Sequence, residues 1–430
     1  MKKFITILLL LSLSTFAQSL SKVYVLSEGG FNAGTSMLSM FDKEENSFTQ
    51  NIFSPGNLGT YPDGLVCYEN NLYIAEQGNY GGPGKFYKLD TLGTIIGSLD
   101  EVGTNPYSVA ISNGKAYLTN GPANNVSVVN ISDMSLVTEI GVGITPQEII
   151  AYENYVFVAN TYIWNGASDS TVSVIDSETD EVVNSIVVSH NPTGFALTND
   201  NNLLVGCSDG MIYKVEINSL SKTDSFSVTD YGFGKDIFVD KNSSNIYFLG
   251  SSGEVVSLNL ETKETSLVIG TDDLVYAYGY GYDYVNNTHY RLDAKDFAAN
   301  GSLVIYDSEG NVLNTYETSI APRRVVFKYN GEITGVEDDE EIATSYELNQ
   351  NYPNPFNPTT TINFSIPKAS NVTIKVYNSI GQQVAELINS ELGAGSHNIN
   401  FNASNLSSGV YYCRIQSGSF TATRKMMLVK

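Results

Sequence analysis

Apolar and polar residues alternate with period two through most of the chain, in short runs broken by Gly, Asn, Asp and Ser. Such alternation predicts short β-strands with one buried face, not helices. The runs are organised into a unit of about 43 residues that recurs from Lys22 to about Asn330. Its clearest copy reads VFVAN at Val156 to Asn160, then TVSVID at Thr171 to Asp176, and ends at Pro192. The copy before it reads AYLTN at Ala116 to Asn120, then NVSVVN at Asn125 to Asn130, and ends at Pro146. The unit-ending prolines Pro62, Pro106, Pro146 and Pro192 are spaced 44, 40 and 46 residues apart. The next, Pro322, follows 130 residues later, which leaves room for three units whose proline has drifted, around Lys235 and Tyr282. A second marker, the strand after a turn, recurs at Lys22, Asn71, Lys115, Tyr155, Asn202, Asn245 and Thr288, which makes seven.

Each unit divides into four strands; in the third these are SVAIS, KAYLTN, VSVVN and LVTEIGV. Four strands in 40 to 50 residues describe a propeller blade, and a single such repeat must stack on neighbours to bury its core. A β-helix turn is about half that length, and a sandwich need not repeat its sequence. The expected fold is therefore all-β: a seven-bladed β-propeller over residues 22–330, followed by a small immunoglobulin-like β-sandwich. The first unit lacks a first strand, whereas RRVVFKY at Arg323 to Tyr329 is a first strand with nothing after it. Pairing the two would close the ring and remove exposed sheet edges.

The flanks read differently. Residues 1–17 hold two lysines, an apolar run from Phe4 to Leu13 and Thr-Phe-Ala, the pattern of a secretory signal peptide cleaved near Ala17. No cysteine follows that point, so a lipid anchor is not expected, and no later apolar run is long enough to span a membrane. Residues 331–345 form an acidic linker. Residues 346–430 alternate as six or seven strands, with six Lys or Arg against three Asp or Glu. The chain's net charge of −23 therefore lies in the propeller and linker, which disfavours nucleic acid as a partner. Three scattered cysteines, Cys67, Cys207 and Cys413, predict buried thiols, not a disulfide framework.

Two stretches carry family resemblances. YELNQNYPNPFNPTTTINFSIP from Tyr346, VYNSIGQQV, LSSGVYYCRI and the terminal RKMMLVK resemble the C-terminal sorting domain of type IX secretion cargo. That resemblance implies a protein at the outer-membrane surface of a Gram-negative bacterium or released from it, with the type IX machinery as a partner. The alternative is an accessory immunoglobulin-like module. The YVAN-then-VSVID phrasing is similar to YVTN-type bacterial surface propellers. The opening VYVLSEGGFNAGTSMLSMFD resembles Bacteroidetes-type surface propellers, some of which capture cobalamin.

No HExxH, nucleophile elbow, Walker loop or paired CxxC occurs, and the three histidines fall in different units, so a binding protein is expected, not an enzyme. Second strands end at Glu28, Glu76, Asn120, Asn160, Asp209 and Asp293. Such groups at one rim suit Ca²⁺, with Glu28 and Glu76 the candidate ligands, or they cap their own turns. The metal reading would make the protein a propeller hydrolase or lactonase. The stronger lead is aromatic. Loops of one axial face contain Phe31, Tyr61, Tyr80, Tyr107, Tyr162, Trp164, Tyr231, Phe233, Tyr276, Tyr278 and Tyr280. Of these Tyr61, Tyr80, Tyr107, Tyr162, Trp164, Tyr231 and Tyr278 are the candidate contacts for a small molecule, glycan, corrinoid or protein. Acidic Glu28 and Glu76 beside them predict a neutral or cationic ligand. The other reading is that such rings pack over the sheet tops.

Overall fold

The computed structural model describes residues 18–30, 35–54, 63–79, 81–162, 168–272, 274–330, 346–348, 351, 354–366, 370–392, 395–418 and 420–429. The signal segment and the acidic linker lie outside these residues. Among the described residues every regular element is a strand, and two compact units separate at Val336/Glu337.

The first unit is a propeller. It contains seven four-stranded antiparallel sheets. Six are continuous in sequence, with inner strands at Gly64–Tyr68, Pro106–Ser112, Pro146–Tyr152, Pro192–Leu197, Lys235–Val239 and Ala277–Asp283. These belong to the second through seventh sheets. The first sheet is built from both ends of the unit: its inner strand is Pro322–Asn330, hydrogen-bonded to Ser19–Ser27. Each inner strand packs beside the next, and the ring closes between Pro322–Asn330 and Gly64–Tyr68.

In the fourth sheet burial peaks at the second strand and is lowest at the outermost, and the sequence pattern follows it. The second strand Tyr155–Tyr162 is buried on both faces, and Val156, Phe157 and Val158 have no exposed surface. Each such side chain contributes roughly 1.5–3 kcal/mol on burial. The outermost strand Glu181–Val187 buries only one residue fully and alternates weakly. The cores lie between adjacent sheets, as where Phe157 of the fourth meets Leu203 and Val205 of the fifth.

Inner strands do not start cleanly. Register shifts fall at Pro106/Val109, Pro146/Ile149, Pro192/Gly194, Lys235/Ile237 and Ala277/Gly279. A bulge at that position turns the next side chains out of the sheet face and toward the axis. Asp236 takes a left-handed φ of +51° there, unusual for a residue with a side chain. Close approach is needed as well: a Cβ at Gly279 would lie 2.2 Å from the Arg323 carbonyl oxygen.

The second unit has its own core, including Phe364, Val372, Ile374, Ile415 and Met426. A three-stranded sheet carries Thr359–Ile366, and a four-stranded sheet carries Ser370–Asn378 and Gly409–Ser417. The three cysteines are free thiols.

Three positions in the propeller differ from the sequence reading. The drifted unit boundary expected near Tyr282 falls at Ala277, and Tyr282 is buried within that strand. Phe233 and Tyr280, expected in surface loops, are buried: Phe233 fills the space above Gly206, and the Tyr280 hydroxyl bonds His289 Nδ1 at 2.8 Å.

Ending the chain at Ile320 removes the inner strand of the first sheet and leaves Ser19–Ser27 unpaired on that side. Urea unfolding of this truncation should show a much lower midpoint than the intact propeller, or no cooperative transition. A midpoint equal to that of the intact propeller would show that the ring does not depend on its closing strand.

Candidate functional site

Inner strands all begin at one axial end, and the bulges aim their first side chains at the axis. Six of the seven sheets send a polar group there. Arg323 and Arg324 come from the first sheet, Asp63 immediately precedes the second, Tyr107 is from the third and Glu148 from the fourth. Lys235 and Asp236 come from the sixth, and Tyr278 from the seventh.

These groups form a buried ion-pair network. Arg323 has no exposed side-chain surface; its Nη1 donates to Asp236 Oδ2 at 3.0 Å, and it lies 3.7 Å from Asp63 and 3.8 Å from Glu148. Arg324 grips Glu148 with both terminal nitrogens, at 2.9 and 3.3 Å, and reaches Asp63 Oδ1 at 3.2 Å. The Tyr280 amide donates to Asp236 at 3.0 Å, which ties in the seventh sheet. Above the network Glu28, at the end of Ser19–Ser27, accepts the Tyr278 hydroxyl on both oxygens at 3.0 Å.

The electrostatics divide the acids. Burial would raise Asp63, but Arg324 and Arg323 outweigh it and hold the carboxyl down at about 2. Glu28 is the opposite case. Burial and the nearby Asp63 push it up to about 7, against the weaker pull of Arg323 and Tyr278. Lys235 is held below the usual lysine range by the neighbouring Arg323 and by burial. Burial and Asp63 raise the Tyr107 phenol well above its ordinary value. The axis thus holds fixed charge pairs plus one carboxyl that titrates near neutrality.

Beside the network, between the sixth and seventh sheets, lies a cavity of about 470 Å³. Lys235 and Tyr278 belong to both. Its other walls are the turn Gly250 to Gly253, Thr271, the segment Leu274 to Ala277, and Arg291. Gly253 takes a left-handed φ of +95°, and a Cβ there would come within 2.8 Å of Ala277 Cβ, so the turn closes tightly on the seventh sheet. Tyr276, Tyr278 and Phe297 pack edge-on and tilted, with ring centroids 4.9 to 6.1 Å apart. Tyr276 keeps 52% of its surface exposed.

The residues singled out from the sequence divide accordingly. Tyr278 and Glu28 meet at the axis. Tyr107 is there too, but as a strand residue whose buried phenol is near Asp63, not a loop contact. Tyr162 is exposed at the end of its strand, with its ring 6.4 Å from His190. Tyr231 packs against the core between the fifth and sixth sheets, and its carbonyl accepts the Ser251 amide at 3.1 Å. Tyr61, Tyr80 and Trp164, with Phe31, lie outside the described residues. Glu76 accepts the hydroxyl of Tyr87 within its own sheet at 3.1 Å, whereas Glu28 accepts that of Tyr278. Asn120, Asn160 and Asp293 bond groups of their own sheets and turns. Among the described residues no group of three or more His, Cys, Asp or Glu side chains is arranged to hold a metal.

Arg323, Arg324, Asp63, Glu148, Lys235 and Asp236 were not anticipated. A signal was present: Asp63 and Arg323 directly follow unit-ending prolines, and Glu148 comes two residues after one.

Comparison with known proteins places the two units. Residues 350–430 match the family described as secretion system C-terminal sorting domain, so the chain carries a sorting domain of an exported protein. Residues 22–231 match a domain of unknown function, DUF5074. No curated protein matches the sequence. Among solved structures, a quinonprotein alcohol dehydrogenase-like protein from Bacteroides thetaiotaomicron is similar with a TM-score of 0.58 and 16% identity, over 72% of this chain and 78% of that one. Hydrazine synthase from Kuenenia stuttgartiensis is similar with a TM-score of 0.52 and 16% identity, over 61% and 88%. At that identity the likeness is one of fold.

Two outcomes test the network. Arg323→Met removes the closest cation of buried Asp236 and leaves Asp63 with Arg324 alone, and should cost about 3–5 kcal/mol, read from urea unfolding. Glu28 has its pKa raised on folding, so its stabilising contribution is complete below pH 4.5 and is lost as pH rises through about 7. Glu28→Gln should therefore gain stability relative to the parent between pH 5 and pH 8. The difference between the two proteins isolates Glu28 from His289, which burial lowers to about 4 and whose effect runs in the opposite direction. A constant difference across that range would place the Glu28 pKa elsewhere.

Proposed function

We propose that the protein is an exported binding propeller: its C-terminal domain is read by the type IX secretion machinery, and its axial face holds a small molecule in the cavity between the sixth and seventh sheets. The observation that carries this reading is the exposed Tyr276 ring, which packs beside Phe297 and with Tyr278 lines a cavity of ligand size. A tyrosine left half in solvent adds little to the core, whereas its rigid face and polar tip suit ligand contact. The sharing of Lys235 and Tyr278 with the buried network supports it further, because the ion pairs hold those side chains in place before any ligand arrives.

A metal-dependent hydrolase draws less support. The axial carboxylates Asp63, Glu148 and Asp236 face guanidinium groups, which fill the position a central cation would need. Glycans and corrinoids are the ligand classes to try first, by calorimetric titration of the purified protein. Tyr276→Ala should weaken binding about tenfold or more, since a stacked pair contributes roughly 0.5–1.5 kcal/mol beyond the area it buries. Its melting temperature should barely change. Unchanged affinity would move the site elsewhere on the axial face, where Tyr162 is the next exposed ring.

Removing residues 346–430 should leave a folded propeller confined to the periplasm, because each unit has its own core. Appearance of the shortened protein at the cell surface or in the medium would refute the export role.

A further inference from the structure

The cavity differs in charge from the rest of the molecule. The chain has 46 Asp and Glu against 23 Lys and Arg, yet among the described residues no carboxylate lines the cavity, whereas Lys235 and Arg291 do. Arg291 is engaged structurally, with Nη1 donating to the Gly270 carbonyl at 2.9 Å and Nη2 to the Gly253 carbonyl at 2.8 Å. Lys235 is not. Among the described residues no carboxylate lies within ion-pair distance of its Nζ, which stands 5.7 Å from the centre of the Tyr278 ring.

Four of the acids near the cavity are already occupied, and Asp272, next to Thr271, is turned out to solvent. Glu254 accepts the Ser252 amide at 3.1 Å, and Asp293 accepts the Tyr276 and Lys295 amides at 2.9 and 3.0 Å. Asp236, the neighbour of Lys235, holds Arg323 and the Tyr280 amide. Glu28 holds the Tyr278 hydroxyl. Among the described wall residues Lys235 is thus the charge that a ligand can pair with without breaking an existing bond. This reverses the sign expected from Glu28 and Glu76 alone.

The remaining wall groups narrow the class further. Tyr276 presents an open ring face. Ser252 and Thr271 carry exposed hydroxyls that no described residue engages. A cation, an aromatic face and free hydroxyls match a molecule with one carboxylate, one apolar ring face and several hydroxyls.

We propose that this cavity binds a sugar acid, a hexuronate or a closely related polyhydroxy carboxylate, with its carboxylate on Lys235 and its ring face on Tyr276. The proposal rests on the binding role assigned above to this cavity. It is tested by calorimetric titration of the purified protein with glucuronate, glucose and benzoate, and with the variants Lys235→Met, Lys235→Arg and Tyr276→Ala. Glucuronate should bind at least tenfold more tightly than glucose or benzoate. Lys235→Met should abolish that preference, Lys235→Arg should keep most of it, and Tyr276→Ala should weaken glucuronate about tenfold. Glucose binding as tightly as glucuronate, with both lost in Tyr276→Ala, would overturn the charge assignment and leave the cavity as the binding site. Benzoate binding in preference to glucuronate would overturn the sugar class. Binding of none of the three would remove both the ligand class and its support for the cavity.

Discussion

A closed ring of sheets brings the starts of its inner strands together, and what occupies that crowded centre governs the molecule. Here the centre is held by two arginines of one strand against carboxylates from three other sheets. Arg323 and Arg324 enter on the closing strand and pair with Asp63, Glu148 and Asp236. Charges withdrawn from water this far carry a large desolvation cost, offset only if every partner is present and well placed. Ring closure and axial charge pairing are therefore one requirement: the strand that closes the ring also delivers both cations.

The same network shapes the cavity beside it. Asp236 sits in a left-handed backbone conformation and is bound by Arg323 and the Tyr280 amide, so the preceding Lys235 is directed by a fixed neighbour. Arg323 lies 5.7 Å from the Tyr278 ring, and Tyr278 is fixed again through Glu28. Two walls of the cavity are thus set by bonds made on the axis. A charge change at the centre should be felt in the cavity through electrostatics, and Glu28, titrating near neutrality, is the group placed to transmit it.

The cavity also lies where the repeat is least regular. Pro106, Pro146, Pro192 and Pro322 begin the inner strands of the third, fourth, fifth and first sheets. The sixth and seventh sheets begin instead with Lys235 and Ala277. A proline at that place fixes the backbone and fills space against the preceding sheet, as the Pro106 ring does over Gly84. Its loss in two adjacent sheets admits a lysine and an open pocket. Sequence conflict with the repeat thus coincides with the candidate site, as expected where function is added to a regular scaffold.

The all-β class, the propeller repeat, the pairing of the last strand with the first and the separate C-terminal sorting domain were all legible in the sequence. Period-two alternation is a local property, and seven copies of it average out the ambiguity of any one. The site was legible only in part. Tyr278 and Glu28, expected at one axial end, meet through a hydrogen bond, but Phe233 and Tyr280 proved to be core and Tyr107 a strand residue. A bulge of one residue decides whether a side chain faces the axis, the core or solvent, and no local pattern records it. The charge network was hidden for a different reason. Asp63, Glu148, Asp236 and Arg323 are separated by up to 260 residues, and each alone reads as an ordinary polar residue near a turn. Only closure of the ring brings the three acids within 4 Å of Arg323, because their meeting depends on the summed geometry of every sheet between them.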